Sequence, residues 1–334
     1  MYKTNTLLPS EKWADFIFNH PHGNIFQTPE MFEVYKKTRN YEPVFLAVVD
    51  EKGEILGTLL AFIQREFRWP LGYLSARSII LGGPLIKDNN LDVLNFILNE
   101  YNKRIKRRVI YSQFRNLWNW REGINSFEKY GFKFKDHLDI LIDLKKPEAQ
   151  LWNEIHSKRR NEIRKAVKEC IIVRELKITS EHKELYSILS KVYQRARLPL
   201  PSNNYFFNAL TILSKKDYYK AFGAFDNNKL IGVMLTLCYK NRIYDWYAGS
   251  FQAFYKKNPN DLIPWEVFKW GISSGYTIFD FGGAGNPNEK YGVRDYKLKF
   301  GGELVNYGRF VKIHHPILMF VAKQGFKLWR FLRR

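Results

Sequence analysis

The chain has 334 residues, 45% hydrophobic and 16% aromatic, enough apolar surface for sizeable cores, which excludes a globally disordered protein. Its formal net charge of +21 favours anionic partners: nucleic acid, phosphorylated substrates or an anionic membrane surface. Cys170 and Cys238 are the only cysteines, too few and too far apart for a disulfide framework or a metal knuckle, so both are expected as buried free thiols.

From the start of the chain, Met1 to Ser10 contain no apolar core of signal-peptide length, and no later apolar run reaches the roughly 18 residues needed to cross a bilayer. A cytoplasmic chain is expected. A helix is predicted over 29–38, followed by a hairpin: Phe45 to Asp50, a turn through Lys52-Gly53, then Ile55 to Leu60. A helix over 91–105 leads into a strand at Val109-Ile110-Tyr111, and Phe127 to Phe132 reads as a helix running into a Gly-Phe turn. Lys145-Lys146-Pro147 marks a domain boundary, because proline disfavours continuation of regular structure.

The second half repeats the order of the first. From Ala149 to Cys170 the apolar positions fall near helical spacing while Arg159, Arg160, Arg164, Lys165 and Lys168 lie largely elsewhere, predicting one amphipathic helix with a basic face. A helix over 205–213 precedes a second hairpin, Ala221 to Asp226 and Leu230 to Leu235 around Asn227-Asn228. A helix over 264–273 then leads to the strand Ile278 to Phe281. Helix, hairpin, strand, helix, strand in each half argues for α/β domains with mixed, mostly antiparallel sheets. Three regions follow: 1–147, 148–310 and a basic amphipathic tail helix, 311–334.

The order of elements is that of the GNAT acyltransferase fold. Ser157 to Ala166 with Cys170 to Val173, and Phe279-Asp280-Phe281-Gly282-Gly283, Tyr291-Gly292-Val293 and Tyr296 to Gly302, resemble the opening and closing signatures of the second domain of Fem-type aminoacyltransferases, which build peptidoglycan cross-bridges. Asn24 to Pro29 and Gly82 to Ile86 match weaker first-domain patterns of that family. The resemblance implies two tandem GNAT-like domains and transfer of an aminoacyl group from aminoacyl-tRNA to an amine of a peptidoglycan or envelope precursor. It implies no tightly bound cofactor and no metal, and the chain is expected to be a monomer. It also implies substrate-binding roles for Lys36, with Lys37 adjacent as an alternative, and for Arg197, with Arg195 as its alternative. Tyr291, Tyr296, Gly282 and Gly283 belong to the same substrate-binding set, and Tyr247 and Lys297 to the catalytic one. Asp280 alternates with Phe279 and Phe281 and is a catalytic acid candidate on that ground, with Asp88 after the Gly82-Gly83-Pro84 turn as a second.

In the residues themselves, glycines at a strand end permit close approach of a ligand, a lysine supplies positive charge for a phosphate or a developing oxyanion, and a tyrosine hydroxyl can position an amine. Each also has a plainer reading, as a solvated lysine or a core aromatic. An activated ester donor needs positioning and oxyanion stabilisation rather than a covalent nucleophile. Acyl-CoA-dependent GNAT domains carry a glycine-rich loop before a helix; here Tyr255 to Leu262 places Pro259 and Asp261 in that stretch, which favours aminoacyl-tRNA over acyl-CoA or acyl carrier protein as donor. The tail helix has two readings, an anionic-membrane contact or a terminal helix packed on the second domain.

Overall fold

The computed structural model describes residues 2–66, 72, 75–176 and 180–332, with side chains of the last helix described to residue 325. The chain divides into two compact units, Met1–Asp136 with Tyr307–Arg334, and His137–Asn306.

The first unit runs β1 (Lys3–Asn5), α1 (Ser10–Asn19), α2 (Pro29–Lys37), β2 (Tyr41–Val49), β3 (Ile55–Gln64), β4 (Arg77–Leu81), β5 (Leu85–Ile86), α3 (Leu91–Ile105), β6 (Tyr111–Arg115), α4 (Ile124–Lys129) and β7 (Lys133–Lys135). Thr28 starts α2 by accepting a hydrogen bond from the Met31 amide, and Pro29, which has no N–H to leave unpaired, takes the first helical position. The two weak first-domain patterns are one hydrogen-bonded assembly. Asn24 donates to the Gly82 carbonyl, and the buried Gln27 amide bridges Leu60 on β3 and Leu81 on β4. Their side chains therefore satisfy backbone groups that would otherwise be stranded in the core. The strand expected at 109–111 begins at Tyr111, because Val109 and Ile110 are buried in the approach to it.

The second unit runs β8 (Leu138–Asp143), α5 (Glu148–Glu154), α6 (Ser157–Lys168), β9 (Ile172–Glu175), α7 (His182–Ala196), α8 (Asn203–Leu213), β10 (Tyr219–Asp226), β11 (Lys229–Tyr239), β12 (Arg242–Ser250), α9 (Pro259–Ser273), β13 (Ile278–Gly285), α10 (Gly292–Leu298) and β14 (Glu303–Asn306). The chain then returns to the first unit as β15 (Arg309–Ile313) and α11 (Pro316–Leu332). The amphipathic stretch 149–170 is two helices rather than one. The break falls at Ile155 and His156, both extended, where the His156 ring accepts from the Lys158 amide and Arg160 donates to the carbonyls that end α5. Cys170 is exposed and left-handed at the end of this region, whereas Cys238 is buried as expected.

The sheets interleave the two halves of the sequence. The first has the order β1-β2-β3-β4-β6-β15-β7, with β5 beside β3; the second has β14-β8-β13-β12-β11-β10-β9. Strand β8, from the segment assigned by sequence to the first domain, lies in the second unit's sheet, and β15, whose first residues were assigned to the second, lies in the first. Residue Phe310 of β15 is fully buried there, stacked on Phe127 at 3.9 Å between ring centroids. The duplication expected from the repeated hairpins is present: β2/β3 matches β10/β11, and in each unit a helix, α3 or α9, connects two parallel neighbours, β4 and β6 or β12 and β13. In the second hairpin Asn227 and Asn228 are both left-handed, the conformation that matches the twist of a two-residue turn.

Candidate active site

The parallel pairs of the two units differ where it matters for binding. In the first, β4 and β6 stay paired from Arg77 with Tyr111 to Leu81 with Arg115, and the Tyr101 hydroxyl on α3 bonds Ser78 on one strand and Ser112 on the other. In the second, pairing covers only Arg242 with Ile278, Ile243 with Phe279 and Tyr244 with Asp280; beyond that point the strands part. Two sequence features drive the parting. A bulge in β12 inserts Trp246 between the partners of Leu235 and Thr236, and Gly282 and Gly285 on β13 adopt φ of +67° and +79°, open to glycine and costly for residues with a Cβ.

Three carboxylates gather at the opening. Asp280 is buried; its Oδ1 accepts from the Gly282 amide at 2.8 Å and its Oδ2 faces Arg242 at 3.3 Å. Asp139 on β8, the strand paired with β13, lies within the field of Asp280. Burial, reinforced by the neighbouring Asp280 charge, raises Asp139 well above the usual carboxylate range; Asp280 is also raised by burial, against the pull of Arg242. Asp245 on β12 is raised to about 6 by burial, with Lys297 pulling down and Asp280 pushing up.

Lys297 lies on α10. Its ammonium donates to the carbonyls of Phe281, Gly282 (3.3 Å) and Gly283 (3.1 Å), three donors matched to three main-chain oxygens of the parted strand. As positioned, it fixes the glycine-rich backbone and supplies positive charge to the carboxylates. Tyr296 is directed elsewhere, donating to the Asn260 carbonyl. Tyr291 packs against Gly285, where an added Cβ would meet its ring at 2.9 Å. Tyr247 packs on Phe206 and Tyr193, at centroid distances of 4.8 and 5.8 Å, and Tyr193 in turn lies within the fields of Asp245 and Tyr291. Thus Tyr247, Asp280, Gly282, Gly283, Tyr291, Tyr296 and Lys297 occupy one region of the second unit.

The remaining sequence candidates lie outside that cluster. Arg197 caps α7 in a left-handed conformation one turn beyond Tyr193, and its side chain makes no hydrogen bond or ion pair among the described residues. Arg195 is engaged with the Tyr255 hydroxyl and ring. Lys36 is in the first unit, 62% exposed, 3.4 Å from Glu33. Asp88, also in the first unit, is left-handed and lines a cavity of about 610 Å³ with His20, His22 and Asp15. The residues missed in the sequence are Asp139, Asp245 and Tyr193. An isolated aspartate in the apolar strand Tyr244 to Ser250 is a legible signal for Asp245; nothing in Leu138 to Asp143 announces that Asp139 meets Asp280.

The start of α9 is closed by its own residues. Pro259 has no amide hydrogen, the Asp261 and Leu262 amides donate to Asn258, and the Asp261 carboxylate pairs with the buried Arg159 of α6, whose guanidinium lies over the Tyr296 ring at 4.6 Å. A helix start holding its own carboxylate is a poor seat for a second anion.

Residues 157–298, the segment that contains Tyr247, Asp245, Asp280 and Lys297, match the family described as Acetyltransferase (GNAT) domain. That segment is similar to GNAT acyltransferase domains. The tandem GNAT architecture extends over the whole chain. FemX superposes with a TM-score of 0.75 at 16% identity, over 96% of this chain and 100% of that one. L-PGS from Bacillus licheniformis gives 0.59 at 14% identity, over 94% and 96%. A tandem GNAT protein from the clavulanic acid biosynthesis pathway gives 0.60 at 8% identity, over 95% and 99%. No curated protein matches by sequence. The Fem-type resemblance read from the motifs thus has its counterpart in the fold of the complete chain.

Proposed function

We propose that the chain transfers an aminoacyl group from aminoacyl-tRNA to an amine of a peptidoglycan or other envelope precursor, with the reaction at the opening between β12 and β13. The observation that carries this reading is the parting of those strands beside Asp245, a carboxylate held at about 6. At neutral pH it is ionised and can take up the proton that the incoming amine must shed. The freed amine attacks the ester carbonyl and the N–C bond forms; as the C–O bond to the ribose breaks, the proton lost by the attacking nitrogen passes to the ribose oxygen, and Asp245 returns the first proton to solvent. Tyr247 orients the amine beside Asp245, and Asp139 and Asp280 with Lys297 hold the strand edge that lines the opening.

The donor assignment draws on the closed start of α9 and on the exposed cations Lys158, Arg164, Lys165 and Lys168 of α6, a face suited to nucleic-acid phosphates. Lys36 and Arg197 are assigned to anionic groups of the acceptor, the chain acts as a monomer, and it works on the cytoplasmic side of the envelope. A second reading, N-acyl transfer from acyl-CoA or acyl carrier protein to an envelope sugar or lipid, draws on the GNAT match itself. Filter binding of aminoacyl-tRNA across a salt series, with release of free tRNA on adding candidate amine acceptors, tests the first. Affinity should fall steeply with salt; absence of binding together with turnover of acyl-CoA would replace it by the second.

A further inference from the structure

The last helix leaves an apolar face uncovered. Within α11, Leu318, Met319 and Ala322 are half-buried, while Ile317, Phe320 and Val321, spaced i, i+3 and i+4 on another side, are 80%, 64% and 52% exposed. Three adjacent large apolar side chains facing water on one helix call for a partner. In a helix the sequence sets Ile317, Phe320, Val321, Leu328 and Leu332 opposite Lys323, Lys327, Arg330, Arg333 and Arg334, with Trp329 at the border; of these, the side chains from Lys327 onward lie outside the described residues.

The surroundings of this face are cationic. From Leu304 onward the sequence has seven lysines and arginines and no acidic residue, and the exposed Lys323 borders the apolar stripe. The root of the helix is pinned to the first unit: the His314 and His315 amides donate to the Ile110 carbonyl, the His314 ring bonds Ser112, and the His315 ring meets the Lys106 carbonyl at 3.0 Å. That places the exposed Lys106 and Arg107, the basic end of α3, beside the start of α11, with Lys312 close enough to Lys106 to be lowered by its charge as well as by burial. The start of the helix is therefore held by the first unit. Cations brought together against their own repulsion, next to apolar side chains, match a surface that offers anionic headgroups above hydrocarbon. Nucleic acid would meet the charges and leave Ile317, Phe320 and Val321 in water.

We infer that α11 and the basic end of α3 form a docking surface for an anionic lipid bilayer, with Ile317, Phe320 and Val321 inserted below the headgroups and Lys106, Arg107 and Lys323 at their level. Binding to lipid reads separately from transfer, so failure of either proposal leaves the other standing. The test is co-sedimentation of the full chain with vesicles of phosphatidylcholine alone or with added phosphatidylglycerol. Affinity for the anionic vesicles should exceed that for neutral ones by at least about tenfold. It should be lost in the exposed-site variant Ile317→Ser/Phe320→Ser/Val321→Ser and weakened in Lys106→Glu/Arg107→Glu, both with unchanged Tm. No preference for anionic vesicles overturns the inference. So does full binding by the serine variant, which would mark a purely electrostatic surface for nucleic acid, or a dimer that the serine variant turns into a monomer.

Discussion

Because burial raises the Asp245 carboxyl to about 6, folding favours its protonated form; the stability this contributes is complete below the unfolded value near 4 and is lost as pH rises through about 6. Asp245→Asn never ionises and should keep it. At pH 8 the variant should be more stable than the parent by at most about 3 kcal/mol in urea unfolding, a difference that vanishes near pH 4. Aminoacyl transfer should fall by about 10²- to 10⁴-fold in the same variant, and in the parent it should rise with pH through about 6. Loss of both stability and activity would mean a structural aspartate. Lys297 acts in the opposite sense, since its charge lowers Asp245. Lys297→Met should move the midpoint of the pH profile upward and, by leaving three carbonyls without their donor, cost about 1–3 kcal/mol in the same unfolding measurement. An unmoved midpoint would place Lys297 outside the electrostatics of the reaction.

Among the elements, α6 and α9 are joined by Arg159 and Asp261, both buried. Asp261→Ala leaves a buried guanidinium with the partly exposed Glu162 as its remaining ion pair and should cost about 3–5 kcal/mol, whereas Arg159→Met/Asp261→Leu should recover much of the loss. Equal losses in single and double variants, followed by chemical denaturation, would rule out the pair as the joint. Most elements were legible from periodicity: α3 is found at its predicted residues, and α2 ends within one of them. α9 begins at Pro259, five residues before the expected start: Pro259 takes the first helical position, and Pro264, inside the helix, lacks the amide that would reach the Asn260 carbonyl, which accepts from the Tyr296 hydroxyl instead. The break between α5 and α6 was hidden because apolar spacing continues through Ile155, and only the extended backbone at Ile155 and His156 separates the two helices. Tyr247, Asp280 and the two glycines were legible through motif and alternation, but the parting of β12 from β13 depends on a bulge set by the pairing of distant strands, which a local pattern does not encode.

For the whole molecule, the divided ownership of strands has no counterpart in hydrophobic pattern, which says which face of a strand is buried and not which sheet receives it. A chain ending at Asn306 would leave Phe127 and Phe134 without Phe310 and would expose the facing edges of β6 and β7. Such a truncation should lose the cooperative thermal transition of the first unit and aggregate, while a chain ending after Ile313 should retain it, as calorimetry can resolve. The same arrangement orders events during synthesis. The ribosome must deliver the whole of His137–Asn306 between β7 and β15 before the first sheet can close, so its early-made strands wait while an entire second unit is translated.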